Sequence, residues 1–367
     1  MAEVYLRNLG RAVPARRYTQ EELYEHSPWE PTPLIDRLFL DSPVQTRSFF
    51  VPPSWYGRAR SLTDTNAAWR EGALLLGSDA LRDALEGHAQ PDELDLIAVT
   101  SVTGYTTPGL DLLLARSEGL RPDVARVHFN CIGCHAAIPL LRSAADHLRH
   151  RPGQRAVALA VEVCSACFAE DPDPQNLVAL SLFGDGAACA LLDTEGPGPR
   201  IVDFGSRYDF EHIDALGFEL TTTGFRIVLD PSIPDHIARA IGDTVEELLA
   251  RHELTPADVH TWCLHPGGSR ILDAAQRALG LALQRGHGPG RVDQALQGRI
   301  DALVEHGPCV GQGDGISPCV ERSDIIKGDD LPVILIQVFI LPSPRTCIGI
   351  GIFDSELIAL TNRITEG

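Results

Sequence analysis

Of the nine cysteines in this 367-residue chain, Cys134 stands where a thiol could do chemistry. It lies in HFNCIGCHAAIPLL, where an apolar strand ends near Cys131, Gly133 permits a tight turn, and a small-residue helix begins. Open backbone N–H groups and the helix dipole favour a thiolate at such a place. A cysteine that ordinarily titrates at about 8.5 can be lowered there by one to several units. The same small residues also suit plain packing of a helix on a sheet, with Cys134 as a core thiol, and the segment alone leaves both readings open. His265, in WCLHPGGSRIL, ends a second apolar strand and is followed by glycines that allow a ligand to come close. A lone histidine in a sheet is also a common structural residue. In LFGDGAAC, Phe183 flanks a turn made possible by Gly184 and Gly186, in which Asp185 could simply bond its own backbone. Two CxxC pairs, Cys131 with Cys134 and Cys164 with Cys167, also have the spacing of zinc or redox motifs.

The elements that must hold these residues alternate between short apolar strands and amphipathic helices. A helix is predicted over Ala67–Glu86, then a buried strand at Leu94–Val102 and another at Val127–Cys131. A helix over Ala136–His150 puts Ile138, Leu141, Ala145 and Leu148 on one face. Ala156–Val163 is a continuous apolar run of strand length, and Leu182–Leu192 reads as a turn feeding a strand. The break TEGPGPR at Thr194–Arg200 marks the midpoint. The pattern then restarts with a strand near Ile201, a helix over Pro234–His252, a strand at Val259–Leu264 and a helix over Ser269–Leu281. Two consecutive α/β halves, 1–195 and 196–367, imply a layered fold with a site between them. No internal short repeat interrupts this order. The zinc reading fits poorly, because a full helix and strand lie between the two CxxC pairs where a ribbon has short knuckles. The redox reading expects an exposed first cysteine, whereas Cys131 and Cys164 fall in core positions.

Composition narrows the classes further. The formal net charge is -19, a field that repels phosphate backbones and argues against nucleic acid as a partner. An anionic coenzyme A ester would need a local basic patch. No apolar run is long enough to span a membrane, and Leu331–Leu341 is broken by Pro332 and Gln337. The N-terminus carries no basic, then apolar, export signal, and an odd cysteine count argues against a disulfide framework, so a cytoplasmic location is expected. The last sixty residues differ in character. Residues 1–305 hold 12 isoleucines and 306–367 hold 11, while Ala359 is the only alanine and Lys327 the only lysine of that tail.

Taken together, TSVTGYTTPGLD from Thr100, GCHAA (133–137), EVCSACF (162–168), LFGDGAA (182–188) and HPGGSRILD (265–273) resemble the type III polyketide synthases. The likeness covers roughly residues 1–307, and the GCHAA form is similar to bacterial alkylpyrone and alkylresorcinol synthases. It implies a thiolase-like, duplicated αβαβα layered fold and a homodimer. It also implies acyl-CoA and malonyl-CoA as substrates, with no further cofactor and no metal ligands. By this resemblance Cys134 takes a starter acyl group, and His265 stabilises its thiolate and polarises the thioester carbonyl. Phe183 matches the gatekeeper aromatic and Cys167 a pocket-lining position, where a small residue goes with a fatty-acyl starter. Thr103 and Ile227 align with the pocket wall and Arg47 with coenzyme A phosphate binding or a surface ion pair, while Thr107 stands where plant enzymes send a methionine across the dimer, so that contact is expected to be missing. The implied product is a pyrone or resorcinol.

The family's catalytic asparagine has no counterpart. The chain reads Glu305-His306-Gly307-Pro308, and proline has neither a side-chain amide nor a backbone N–H. Residues 308–367 therefore depart from the family pattern, and IGIGIF (348–353) only faintly echoes its C-terminal glycine loop. A ketoacyl synthase III type of condensing enzyme, or a scaffold without turnover, are the competing expectations.

Overall fold

A computed structural model describes residues 1–42, 44–130, 132–259, 269–280 and 332–339, the last span as backbone. Chain order starts with β1 (Tyr5–Ala12), then β2 (Arg17–Thr19), helices α1 (Gln20–Glu25) and α2 (Pro33–Phe39), and β3 (Thr46–Ser48). Helix α3 (Leu62–Leu85) begins at a capping box. The Ser61 Oγ accepts from the Asp64 N–H, and the Asp64 carboxylate accepts from the Ser61 N–H. There follow β4 (Leu96–Ser101), α4 (Leu110–Ser117), β5 (Ala125–Asn130), α5 (Ala137–Arg149) and β6 (Ala156–Val163). A single turn of helix, α6 (Cys164–Cys167), leads to α7 (Pro174–Leu182) and β7 (Asp185–Asp193). Beyond the midpoint lie β8 (Arg200–Tyr208), the hairpin β9 (Leu216–Leu220) and β10 (Phe225–Leu229), α8 (Ile233–Ala250), α9 (Ser269–Ala278) and β11 (Pro332–Phe339).

Seven strands form one sheet in the order β11-β8-β1-β7-β6-β4-β5. Strand β6 is buried along its whole length between parallel β4 and antiparallel β7, as its almost wholly apolar sequence, interrupted only by Glu162, requires. Its side chains alternate between two cores. Val157, Leu159, Val161 and Val163 pack with α3 and α4, whereas Ala156 and Ala158 pack with α5. The result is a three-layer αβα sandwich with Trp69 of α3 wholly buried on one side and Leu140 and Leu148 of α5 on the other. The second half joins this sheet through one residue pair, Tyr5 with Arg200, after which β8 pairs in parallel with β11 along eight residues. Among the described residues, no helix is long and apolar enough to cross a membrane.

The predicted strands and helices of the first half are present within a few residues. Helix α3 starts earlier than its apolar pattern, because the Ser61 cap sits ahead of it. Several elements went unread, among them β1, α1, α2 and α4. Helix α7 hides before the LFGDG turn because it is apolar on most sides, and the β9–β10 hairpin because its strands are only five residues long. The strand expected at Val259–Leu264 lies outside the described residues apart from Val259. A strand not foreseen, β11, lies inside the divergent tail.

Candidate active site

Strand β5 delivers the chain to the sheet edge of the elbow, where Gly133 adopts φ +82°. That left-handed value is open to glycine and strained for other residues. Residues 134–136 then turn, with the Ala136 N–H bonded to the Gly133 carbonyl at 3.0 Å, and α5 begins at Ala137 without a side-chain cap. Cys134 is half-buried in this turn, as the sequence predicts. Its ionisation is not as predicted. Burial, followed by the charge of Glu162, pushes the thiol up to about 11, outweighing the backbone hydrogen bonding that favours thiolate. The adjacent imidazole of His135 cannot help, since burial depresses it to about 3 and holds it neutral. A thiolate at neutral pH needs a cation from elsewhere. His265 and Pro308 both lie outside the described residues.

Glu162 was not singled out in the sequence. It is the seventh residue of an apolar strand, and the groups that hold it come from about sixty positions earlier in the chain. The N–H groups of Val102 (2.8 Å) and Thr103 (3.0 Å), and the hydroxyls of Ser101 (3.2 Å) and Thr103 (2.5 Å), all donate to its carboxylate. Burial still raises it to about 7, so at neutral pH its proton is in balance. Thr103 is thus placed differently from the expected pocket wall. It is 3 % exposed, and its hydroxyl is spent between Glu162 and the Val163 N–H.

Phe183, Cys167 and Ile227 do come together. They share one apolar cluster with Phe168, Leu180 and Phe225, and Phe183 stacks on Phe168 at 5.7 Å. Ile227 arrives there on the hairpin, 44 residues after Phe183. Cys167 is 2 % exposed, so its side chain is packed among the described residues. The thiols of Cys164 and Cys167 are raised well above the ordinary range by burial, opposite to the thiolates that zinc requires.

Arg47 corrects the expectation of a coenzyme A contact. It is 4 % exposed, and its guanidinium donates to the carbonyls of Leu180 (2.6 Å) and Phe183 (3.0 Å) and to Gln20 (2.8 Å). Burial lowers it to about 10. It braces the backbone of the gatekeeper turn from inside. Asp185 also differs from the local-turn reading. Its carboxylate accepts from the Ser165 N–H (2.7 Å), the Ser165 hydroxyl (2.5 Å) and the Phe50 N–H (2.6 Å), stapling β7 to α6 and to the segment after β3.

The comparisons with known proteins agree with this architecture. A family model described as chalcone and stilbene synthases, N-terminal domain, matches residues 56–197. A 1,3,6,8-tetrahydroxynaphthalene synthase of Streptomyces peucetius subsp. caesius is 36% identical over 285 residues, which are 74% of this chain and 75% of that one. A 3,5-dihydroxyphenylacetyl-CoA synthase of Amycolatopsis balhimycina is 33% identical over 287 residues, 75% of this chain and 76% of that one. Among solved structures, PKS-I from the brown alga Ectocarpus siliculosus superposes with a TM-score of 0.72 at 25% identity, covering 84% of this chain and 92% of that one. The bacterial type III polyketide synthase that makes 1,3,6,8-tetrahydroxynaphthalene in Streptomyces coelicolor A3(2) shares the fold, with a TM-score of 0.72 at 24% identity over 82% of this chain and 88% of that one.

Proposed function

The chain belongs to the chalcone and stilbene synthase family of type III polyketide synthases, condensing enzymes of the thiolase fold, and from that premise we propose a specific course for its chemistry. Cys134 attacks the carbonyl of an acyl-CoA, and coenzyme A leaves as its thiol. Malonyl-CoA loses carbon dioxide, and the resulting enolate attacks the acyl-cysteine, expelling the Cys134 thiolate and leaving the chain, two carbons longer, on coenzyme A. The observation that carries this reading is the elbow itself, with a half-buried thiol at the foot of α5 opposite a buried carboxylate. Because burial opposes ionisation of that thiol, His265 is assigned as the cation that makes the thiolate. The apolar wall of Phe183, Phe168 and Ile227 would shed water from the enolate and turn away a free carboxylate product.

Closed packing at Cys167 favours a compact starter over a fatty-acyl one. The two relatives above are named for polyhydroxylated aromatic products, which supports ring closure of a short polyketide to a resorcinol- or pyrone-type product. Pro308 removes one oxyanion donor, a loss of about 2.7–4 kcal/mol in transition-state stabilisation. Loading is therefore expected to outrun extension. The outer edge of β5 has no strand beside it among the described residues, and the Nε2 of His128 on it is buried without a partner. A second copy pairing along that edge would complete both, which supports a homodimer.

Intact-protein mass spectrometry after incubation with acetyl- and malonyl-CoA tests the assignment. One acyl adduct per chain is expected, absent from Cys134→Ala, with product release rising about a hundredfold in Pro308→Asn. An adduct that persists in Cys134→Ala would sink the nucleophile assignment. Neither adduct nor product in any variant would favour a scaffold without turnover.

A further inference from the structure

Away from the thiol site, one group of metal-competent side chains is assembled from two separate segments. Asp209 and His212 lie in the turn after β8, and His236 lies in the opening turns of α8. Their donor atoms, one from each side chain, all lie within 4.8 Å of one another. His212 Nδ1 is 2.8 Å from Asp209 Oδ2, and the two imidazole centroids are 3.6 Å apart. His236 is 6 % exposed, while Asp209 and His212 are half-buried, so the group opens to solvent on one side. A second carboxylate, Asp230, is close enough for its charge to act on both histidines.

We propose that Asp209, His212 and His236 bind one divalent transition-metal ion of the zinc, cobalt or nickel class. Two imidazoles and a carboxylate are the donors these ions take, whereas magnesium and calcium favour oxygen alone. Donors about 2.0–2.2 Å from one ion stand roughly 3–4 Å apart. Side-chain rotation would have to close the present spread to that. The ion replaces the proton now shared by Asp209 and His212 and takes a ring nitrogen of His236 from its current partner. Those partners can yield. Arg239, which reaches His236 Nδ1 at 2.5 Å, is exposed and can turn to solvent. Ser232 Oγ, 2.9 Å from His236 Nε2, keeps Asp230 as its acceptor. Two carboxylates against one guanidinium leave the surroundings net negative, which draws a divalent cation.

An ion here ties the end of β8 to the start of α8. Those are the two ends of the span that carries the β9–β10 hairpin, and with it Phe225 and Ile227 of the apolar wall. The ion is therefore structural, and it stiffens the hairpin.

The full chain, stripped with a chelator, is titrated with Zn²⁺ and with Co²⁺. One ion per chain, a Co²⁺ visible absorption band of a low-symmetry nitrogen and oxygen site, and a rise in melting midpoint are expected. His212→Gln and His236→Gln should each weaken binding by about tenfold or more, with Cys164→Ser in α6 binding as the native chain does. His212 is the more exposed of the pair, so His212→Gln serves if His236→Gln fails to fold. No saturable binding below about 100 µM, unchanged affinity in the His212→Gln, His236→Gln double variant, or loss in Cys164→Ser would overturn the site.

Discussion

At Cys134 two local fields compete. The start of α5 favours a thiolate, while burial and the Glu162 carboxylate favour the thiol, and the latter win by enough to hold it near 11. Removing the Glu162 charge should therefore speed alkylation of Cys134. In Glu162→Gln, iodoacetamide at pH 8 is expected to react about two- to tenfold faster, since each unit of pKa is tenfold in thiolate. A slower reaction would mean that Glu162 acts on the thiol through some other route. The same variant has a signature in stability. Glu162 in the folded protein titrates at about 7 against a reference of 4.5, so the folded state binds its proton more tightly than the unfolded state. Between those values the unfolded state releases the proton first, and stability falls as pH rises through the window. Glu162→Gln should thus melt higher than the native chain at pH 8 and lose that advantage near pH 4.5, a comparison that scanning calorimetry makes directly. Cys134 was legible from its motif. Glu162 was not, because a carboxylate in an apolar strand declares itself only once Ser101, Val102 and Thr103 are folded onto it.

Elements here are placed by close approach as much as by apolar pattern. Gly104 sits against the face of Trp69, and a Cβ on it would fall 2.0 Å from the indole Cδ2. Trp69 is wholly buried, with its Nε1 donating to Ser101 at 3.1 Å, so the ring has nowhere to retreat. Gly104→Ala is expected to destabilise by about 1–3 kcal/mol, measured by urea unfolding. It should also disturb the neighbouring Ser101–Glu162 bonds. Stability within error of the native chain would show that α3 can shift to make room. Strands β4 and β6 of the main sheet were legible because they are mostly apolar and of strand length, whereas β1, with Arg7, Asn8 and Arg11 in it, and β11 in the divergent tail were not. Arg47 was misread for the opposite reason. An arginine between two polar residues looks exposed in sequence, and its burial depends on carbonyls of Leu180 and Phe183 more than 130 positions away. Phe183, Cys167 and Ile227, named by resemblance, share one apolar cluster, although nothing local announces the hairpin that brings Ile227.

Across the whole molecule, a net charge of -19 must be carried without tearing the fold apart. Arginines do most of the local compensation. Arg126 holds Asp111 at 2.7 Å beside the β5 edge, and Arg7 holds Asp193 at 2.8 Å where β1 meets β7. The proposed homodimer would have to overcome that charge at some surface, and the β5 edge, with half-buried Val127 and Phe129, is the place that fits. Placing like charges there, as in Val127→Lys with Phe129→Lys, should convert a dimer's mass to a monomer's in light scattering, with circular dichroism unchanged. A native chain that is already monomeric would remove this assignment and leave the loading chemistry untouched.

The junction of the two halves has one more consequence, and it concerns the order in which the protein is made. Strand β8 meets β1 through a single residue pair, and its other side is covered by β11, which lies far along the chain. On the ribosome, the sandwich from β1 to β7 can close as soon as β7 emerges, because all its partners are already synthesised. Among the described residues, β8 then has no strand on that edge until β11 arrives. That interval is when the nascent chain is most exposed to pairing with a neighbour. An interruption of synthesis within it would leave a protein with an intact thiol elbow and an adhesive border, so the danger of a shortened chain lies in clumping before it lies in lost catalysis.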